Sequence, residues 1–143
     1  MPSTCTRKIG FDSAHRVMRH ESKCRHLHGH RYTAEITAHA VDGLDELGRV
    51  IDFSVLKTVI GGWIDSYWDH GTVVNSDDGV LIQVCEENDW KIYQMNGNPT
   101  AENMAKELFV KSNDLLSDHP VQVTHVRLYE TPNCWADYGS GYE

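Results

Sequence analysis

His28-Gly29-His30-Arg31-Tyr32-Thr33-Ala34-Glu35-Ile36-Thr37-Ala38-His39-Ala40-Val41 is the stretch that decides the fold. Over residues 31–41, Tyr32, Ala34, Ile36, Ala38 and Ala40 fall on one face, and Thr33, Glu35, Thr37 and His39 fall on the other. Successive side chains of an extended chain point to opposite faces, so this alternation predicts a strand with one covered face. Upstream, residues 4–11 alternate more weakly, with Cys5, Ile9 and Phe11 opposed to Thr4, Thr6 and Lys8. The polar stretch between the two runs lets them pair antiparallel.

Downstream, Asp42-Gly43 and Gly48 mark turns. Val55, Leu56, Val59, Ile60, Trp63, Ile64 and Tyr67 then recur at helical spacing, with Asp52 or Ser54 as the cap. Gly61-Gly62 costs that helix about 1 kcal/mol per glycine relative to alanine, which weakens its later turns. A second helix starts at Thr100 as N-cap, has Glu102 in its first turn, and buries Ala101, Met104, Ala105, Leu108, Phe109, Leu115 and Leu116. Residues 91–95 show a short strand pattern, followed by turn chemistry in Asn96-Gly97-Asn98-Pro99. Residues 121–130 predict a last strand, with Val121 and Val123 on one face and Val126 and Leu128 on the other. Strands and helices mix without strict alternation, so the expected class is α+β, as a single domain over 1–143 with no internal repeat.

Composition narrows the function. With 40% apolar and 24% charged residues the chain falls in the ordinary globular range. No apolar run approaches the roughly 20 residues of a membrane span, and Met1-Pro2-Ser3-Thr4-Cys5 has no leader pattern, so a cytoplasmic protein is expected. Thirteen Lys and Arg against 21 Asp and Glu leave a net charge of −8, which argues against nucleic acid or an anionic membrane as partner. Cys5, Cys24, Cys85 and Cys134 form no C-x-x-C pair and are expected as thiols.

Nine residues are histidine, and His15, His20, His26, His28 and His30 crowd into one short window. In an extended chain His28 and His30 project from the same face, making half a metal site, and Gly29 between them leaves room for a ligand. Antiparallel pairing brings the end of the first strand near the start of the next, which makes His15 a candidate third ligand. Three imidazoles with an open position match catalytic zinc, although iron, cobalt or nickel would also accept them. Cys24, four residues before His28, could be a base or nucleophile, a fourth ligand, or an inert thiol. In Asp69-His70 a carboxylate could polarise an imidazole for proton transfer, or the pair could be structural. Glu130, at a strand end, could bind an amidine-like ligand edge through two hydrogen bonds or simply face solvent. Arg16 and Arg25 are candidates for phosphate contact.

Phe11-x-Ser13-Ala14-His15-Arg16, Cys24-x-x-x-His28-Gly29-His30, Asp52-Phe53, Asp69-His70, Asn98-Pro99-Thr100-Ala101-Glu102 and Glu130-Thr131 occur in the order seen in one family. The chain resembles the 6-pyruvoyl-tetrahydropterin synthases and 6-carboxy-tetrahydropterin synthases over nearly its whole length. The resemblance implies a tunnelling fold (T-fold): an antiparallel four-stranded sheet with two helices on one face, assembled as a homohexamer (a dimer of trimers) with active sites between subunits. It implies Zn2+ on His15, His28 and His30, Cys24 as proton-abstracting base, Asp69 and His70 as its relay, and Glu130 and Thr100 at the pterin substrate. It further implies a lyase acting on 7,8-dihydroneopterin triphosphate. The short Cys-x-x-x-His spacing resembles the members that make 6-carboxy-tetrahydropterin for 7-deazaguanine (queuosine-type) biosynthesis. Two departures stand out: the segment between His70 and Asn98 is long, and Trp68-Asp69-His70-Gly71 replaces the more usual Asp-His-His.

Overall fold

The computed structural model describes residues 3–140; Met1 and Pro2, part of the stretch read for a leader, lie outside the described residues. Strand β1 (Thr4–His15) and strand β2 (His28–Ala40) pair antiparallel, with Phe11 opposite Tyr32, Ser13 opposite His30 and His15 opposite His28. Both strands run further toward the histidines than the apolar alternation predicts, because the ladder continues beyond the last apolar pair.

Strand β3 is Gly71–Asn75, β4 is Ile92–Met95, β5 is Val121–Thr131 and β6 is Cys134–Gly139. The sheet has six strands in the order β4-β3-β1-β2-β5-β6. The expected four-stranded antiparallel body is present as β1-β2-β5-β6, and β3 and β4 extend it by parallel pairing at the β1 edge. The predicted strand at 91–95 therefore belongs to this parallel extension, and the fourth antiparallel strand is β6. Strand β3 escapes period-two reading because four of its five residues are buried, which removes the alternation.

Strand β5 corrects a second expectation. Val121, Val123, Val126 and Leu128 are all buried on the helix-covered face. The register with β2 shifts between Thr37 and Ala38, where Thr37 faces His125 and Ala38 faces Val123, so Thr124 is a bulged extra residue. One inserted residue flips the phase of everything after it, so Val121 and Val123 before the bulge and Val126 and Leu128 after it all reach the core. The bulge also leaves no room at β6: a Cβ on Gly139 would stand 2.2 Å from the Thr124 carbonyl oxygen.

The first predicted helix runs as α1 (Phe53–Leu56), a π-helical turn (Lys57–Gly61) and α2 (Gly62–Tyr67). Asp52 caps it by accepting from the Ser54 N–H. The cost of Gly61-Gly62 is met by a local change to π geometry, and the helix continues past it. The third helix, α3 (Gly79–Glu87), lies in the long segment after His70 and was not expected. The second predicted helix is α4 (Ala101–Leu115), with Thr100 accepting from the Asn103 N–H as its N-cap. Phe11, Tyr32, Ile36 and Leu128 of the sheet pack with Leu56, Ile60, Ile64 and Trp68 before β3 and with Met104 and Leu108 of α4 in one core. Burying an aliphatic or aromatic side chain is worth about 1.5–3 kcal/mol, so this layer holds the strand mouths that carry the histidines. Among the described residues no helix is long and apolar enough to cross a membrane.

Candidate active site

The β1/β2 register does what sequence spacing could only suggest. His15, His28 and His30 lie on one face, and one ligand nitrogen from each falls within 4.8 Å of the others. The ring centroids are 4.7 Å apart for His15 and His28, 5.1 Å for His15 and His30, and 4.8 Å for His28 and His30. His15 Nδ1 donates to the Pro99 carbonyl at 2.6 Å, and His28 Nδ1 donates to the His26 carbonyl at 2.7 Å. A carbonyl can only accept, so each neutral ring carries its proton on Nδ1 and keeps a lone pair on Nε2. Burial holds the His15 and His30 imidazoles below their ordinary pKa, outweighing the attraction of Glu130. Both are therefore neutral at pH 7.

The Nε2 atoms of His15 and His30 are buried without a hydrogen-bond partner. Glu130 Oε1 stands 3.4 Å from His15 Nε2 and 3.8 Å from His30 Nε2. The His15 lone pair thus faces a carboxylate oxygen, an arrangement that costs energy unless a cation lies between them. The donor set is suited to a divalent transition metal, and the residues present fit one.

Beside the triad is a cavity of 280 Å³ lined by Cys24, His20, Thr100, Glu102, Glu130 and Cys134, among others. Cys24 sits in a short 3-10 turn (Lys23–Arg25), and its carbonyl accepts from the Val17 N–H at 2.9 Å. Three predicted residues, Cys24, Thr100 and Glu130, are thus brought together. Gly29, by contrast, faces away from the imidazoles and lines a second cavity with His70.

That second cavity, 650 Å³, holds Asp12, Arg31, His70, Trp90 and Lys91 among its walls. His70 lines it, as does His30 of the triad, and neither His70 nor Asp69 lines the cavity of Cys24. Asp69 Oδ2 accepts from His70 Nδ1 at 2.7 Å, Oδ1 accepts from the Asp12 N–H at 2.9 Å, and the His70 N–H donates to the Asp12 carbonyl at 2.7 Å. Burial raises the Asp69 carboxyl, but the Asp12 N–H, the His70 ring and the Lys91 charge together hold it below the usual range. His70 adopts a φ of 58°, in the left-handed region that His enters more readily than most residues other than glycine.

Sequence reading underrated the supports. Asn98 Oδ1 accepts from the Met18 N–H at 3.0 Å and its Nδ2 donates to the Met18 carbonyl at 3.1 Å, which pins the loop that carries Cys24. With Pro99 on His15 and Thr100 capping α4, three consecutive residues align ligand, loop and helix. The Thr100 cap and the turn chemistry were legible in the sequence; the contacts of Asn98 with Met18 and of Pro99 with His15 were not. Arg16, a candidate for phosphate contact, has its guanidinium gripped by Asp78 in a two-pronged pair at 2.5 and 2.6 Å, and Asp78 also caps α3 through the Leu81 N–H. Arg25 instead donates to the Ser22 carbonyl at 3.3 Å.

The solved structures define the class. The chain shares its fold with an uncharacterized protein from Wolinella succinogenes (TM-score 0.84, 20% identity, 98% of this chain and 99% of the other). It also shares its fold with the 6-pyruvoyl tetrahydropterin synthase of Caenorhabditis elegans (TM-score 0.70, 22% identity, 99% and 97%). This is the tunnelling fold. The chain belongs to the 6-pyruvoyl tetrahydropterin synthase family, whose model matches residues 4–140, and it is an enzyme of that tetrahydropterin synthase type. Among curated relatives it is 42% identical to the 6-carboxy-5,6,7,8-tetrahydropterin synthase of Rickettsia bellii, over 93% of this chain and 97% of that protein. It is 45% identical to the protein of that name in Rickettsia conorii, over the same shares.

Proposed function

We propose that the protein is a zinc-dependent 6-carboxy-5,6,7,8-tetrahydropterin synthase, a lyase converting 7,8-dihydroneopterin triphosphate and water to 6-carboxy-tetrahydropterin, acetaldehyde and triphosphate. The observation that carries this reading is the His15, His28 and His30 cluster, with the unpartnered Nε2 atoms of His15 and His30 close to Glu130, beside the cavity that also exposes Cys24. Relatives named for the carboxy-forming reaction at 42–45% identity support the choice of product, as does the short Cys24-x-x-x-His28 spacing.

His15, His28 and His30 would hold the zinc, which when bound supplies Lewis acidity to the hydroxyls of the substrate side chain and so acidifies the neighbouring C–H. Cys24 takes that proton. Glu130 receives the amino and ring N–H donors of the pterin, and Thr100 closes the same wall. Asp69 orients His70 through Nδ1, leaving His70 Nε2 to exchange protons during departure of triphosphate and loss of the side-chain fragment. Within one chain His70 opens to a different cavity from Cys24. Their joint action is accounted for by a homohexamer, a dimer of trimers, in which the relay of one subunit meets the thiol of the next. A cytoplasmic location and a role in 7-deazaguanine synthesis complete the reading.

Product analysis after incubating zinc-loaded protein with dihydroneopterin triphosphate tests it. Equimolar acetaldehyde and 6-carboxy-tetrahydropterin are expected; 6-pyruvoyl-tetrahydropterin without acetaldehyde would overturn the product while leaving the family intact.

A further inference from the structure

The segment between β3 and β4 ends in Lys91, a residue that the chemistry above leaves unused. The Lys91 ammonium donates to the Asp69 carbonyl at 2.5 Å and to the Asp65 carbonyl at 2.8 Å. Asp65 lies in α2 and Asp69 two residues beyond its last residue, so Lys91 satisfies carbonyls that a helix C-terminus leaves without intrahelical partners. Its charge also sits at the negative end of that helix. The same residue holds the chain beyond the relay: the Thr72 N–H donates to the Lys91 carbonyl at 3.0 Å. Its stem crosses Gly71 so closely that a Cβ there would stand 3.0 Å from Lys91 Cγ. Lys91 thus touches the chain on both sides of His70, the residue held at a φ of 58°, and lines the same cavity.

We propose that Lys91 is a positioning residue for the Asp69–His70 pair, clamping residues 69–72 so that the His70 ring keeps its proton on Nδ1 and presents Nε2 to the cavity. Lys91 touches no reacting atom; it acts through the backbone on either side of the imidazole. The long segment after His70, which sequence reading left without a role, supplies this clamp, and a Cβ at residue 71 would press on the lysine stem. The proposal rests on the reading of Asp69 and His70 as the proton relay.

The test is a double-mutant cycle on zinc-loaded protein with dihydroneopterin triphosphate, comparing wild type, Lys91→Met, His70→Ala and the double variant, with Lys91→Arg as rescue. Lys91→Met is expected to lower kcat by about tenfold, the effect of a displacement well under 1 Å, with KM and zinc content little changed. Lys91→Arg should recover most of the loss, since a guanidinium can still bridge two carbonyls. In the His70→Ala background Lys91→Met should change kcat by less than about twofold, because a residue acting through His70 has nothing left to position. An equal loss in both backgrounds, an effect on KM alone, or a Lys91→Met enzyme with wild-type kcat would overturn the proposal. Should Lys91→Met not fold, Lys91→Gln replaces it in the cycle. A wild-type protein without turnover would sink the functional reading instead. In that case the His70 Nδ1–H resonance in 1H–15N spectra still decides on Lys91: it should be protected from water exchange in wild type and Lys91→Arg and lost in Lys91→Met, and protection retained in Lys91→Met refutes the clamp.

Discussion

Replacing Glu130 by Gln probes the most informative contact in the site. The carboxylate is about three-quarters covered and stands 3.4 Å from His15 Nε2, so it serves either as the pterin anchor or as a fourth ligand closing the metal site. Glutamine keeps the volume and turns one acceptor into a donor. If Glu130 receives a pair of N–H donors from the pterin, the variant leaves one of them facing another donor in a largely desolvated pocket, which costs about 1–3 kcal/mol. Since each 1.4 kcal/mol is tenfold, kcat/KM should fall by roughly 5- to 150-fold. Coverage of this degree favours the upper half of that range. The assay is steady-state formation of acetaldehyde across substrate concentrations, with zinc per subunit measured on the same preparations. The anchor role predicts full zinc and a depressed kcat/KM. An unchanged kcat/KM would refute it, and loss of zinc would move Glu130 into the ligand set.

The remaining predictions concern metal, base and frame. Alanine at His15, His28 or His30 should remove most bound zinc, read by metal analysis after dialysis, and full occupancy in all three variants would dismiss the triad as ligands. Cys24→Ala should keep zinc and melting temperature and lose turnover; a loss of zinc there would make the thiol a ligand. Asp78→Ala removes the grip on Arg16 and the cap of α3 together, and should cost about 2–4 kcal/mol in urea unfolding from the cap and charge-assisted bonds combined. The Arg16 guanidinium is the largest influence holding the Asp78 carboxyl below its usual range. A carboxyl depressed in the folded state adds stability above its unfolded pKa of about 3.9 and loses it as the pH falls through the folded value, so Asp78→Asn should flatten the stability profile only below about pH 4. A difference between wild type and Asp78→Asn that does not shrink in that acid window would refute the linkage.

Much of the molecule was legible because it is local. The alternation from Tyr32 to Ala40, the caps at Asp52 and Thr100, and the shared face of His28 and His30 depend only on neighbours within a few positions, where backbone geometry sets the outcome. The same holds for the spacing of Cys24 from His28, and the family motifs are built from such short patterns. What the chain could not declare alone depends on partners far along it. The pairing of His15 with His28 requires the whole β1/β2 ladder, and the proton on His15 is set by the Pro99 carbonyl, 84 positions away. The bulge at Thr124 turns Val126 and Leu128 inward although simple alternation sends them outward. Arg16 reads as a free cation until Asp78, 62 positions on, takes both its prongs. The approach of Glu130 to the imidazoles and the opening of His70 on a different cavity from Cys24 were likewise decided in three dimensions. Residue types and short spacings select the chemistry, but the sheet's register, its bulge and the packing of its helices decide which lone pairs meet, because those depend on which distant backbone groups come to lie side by side.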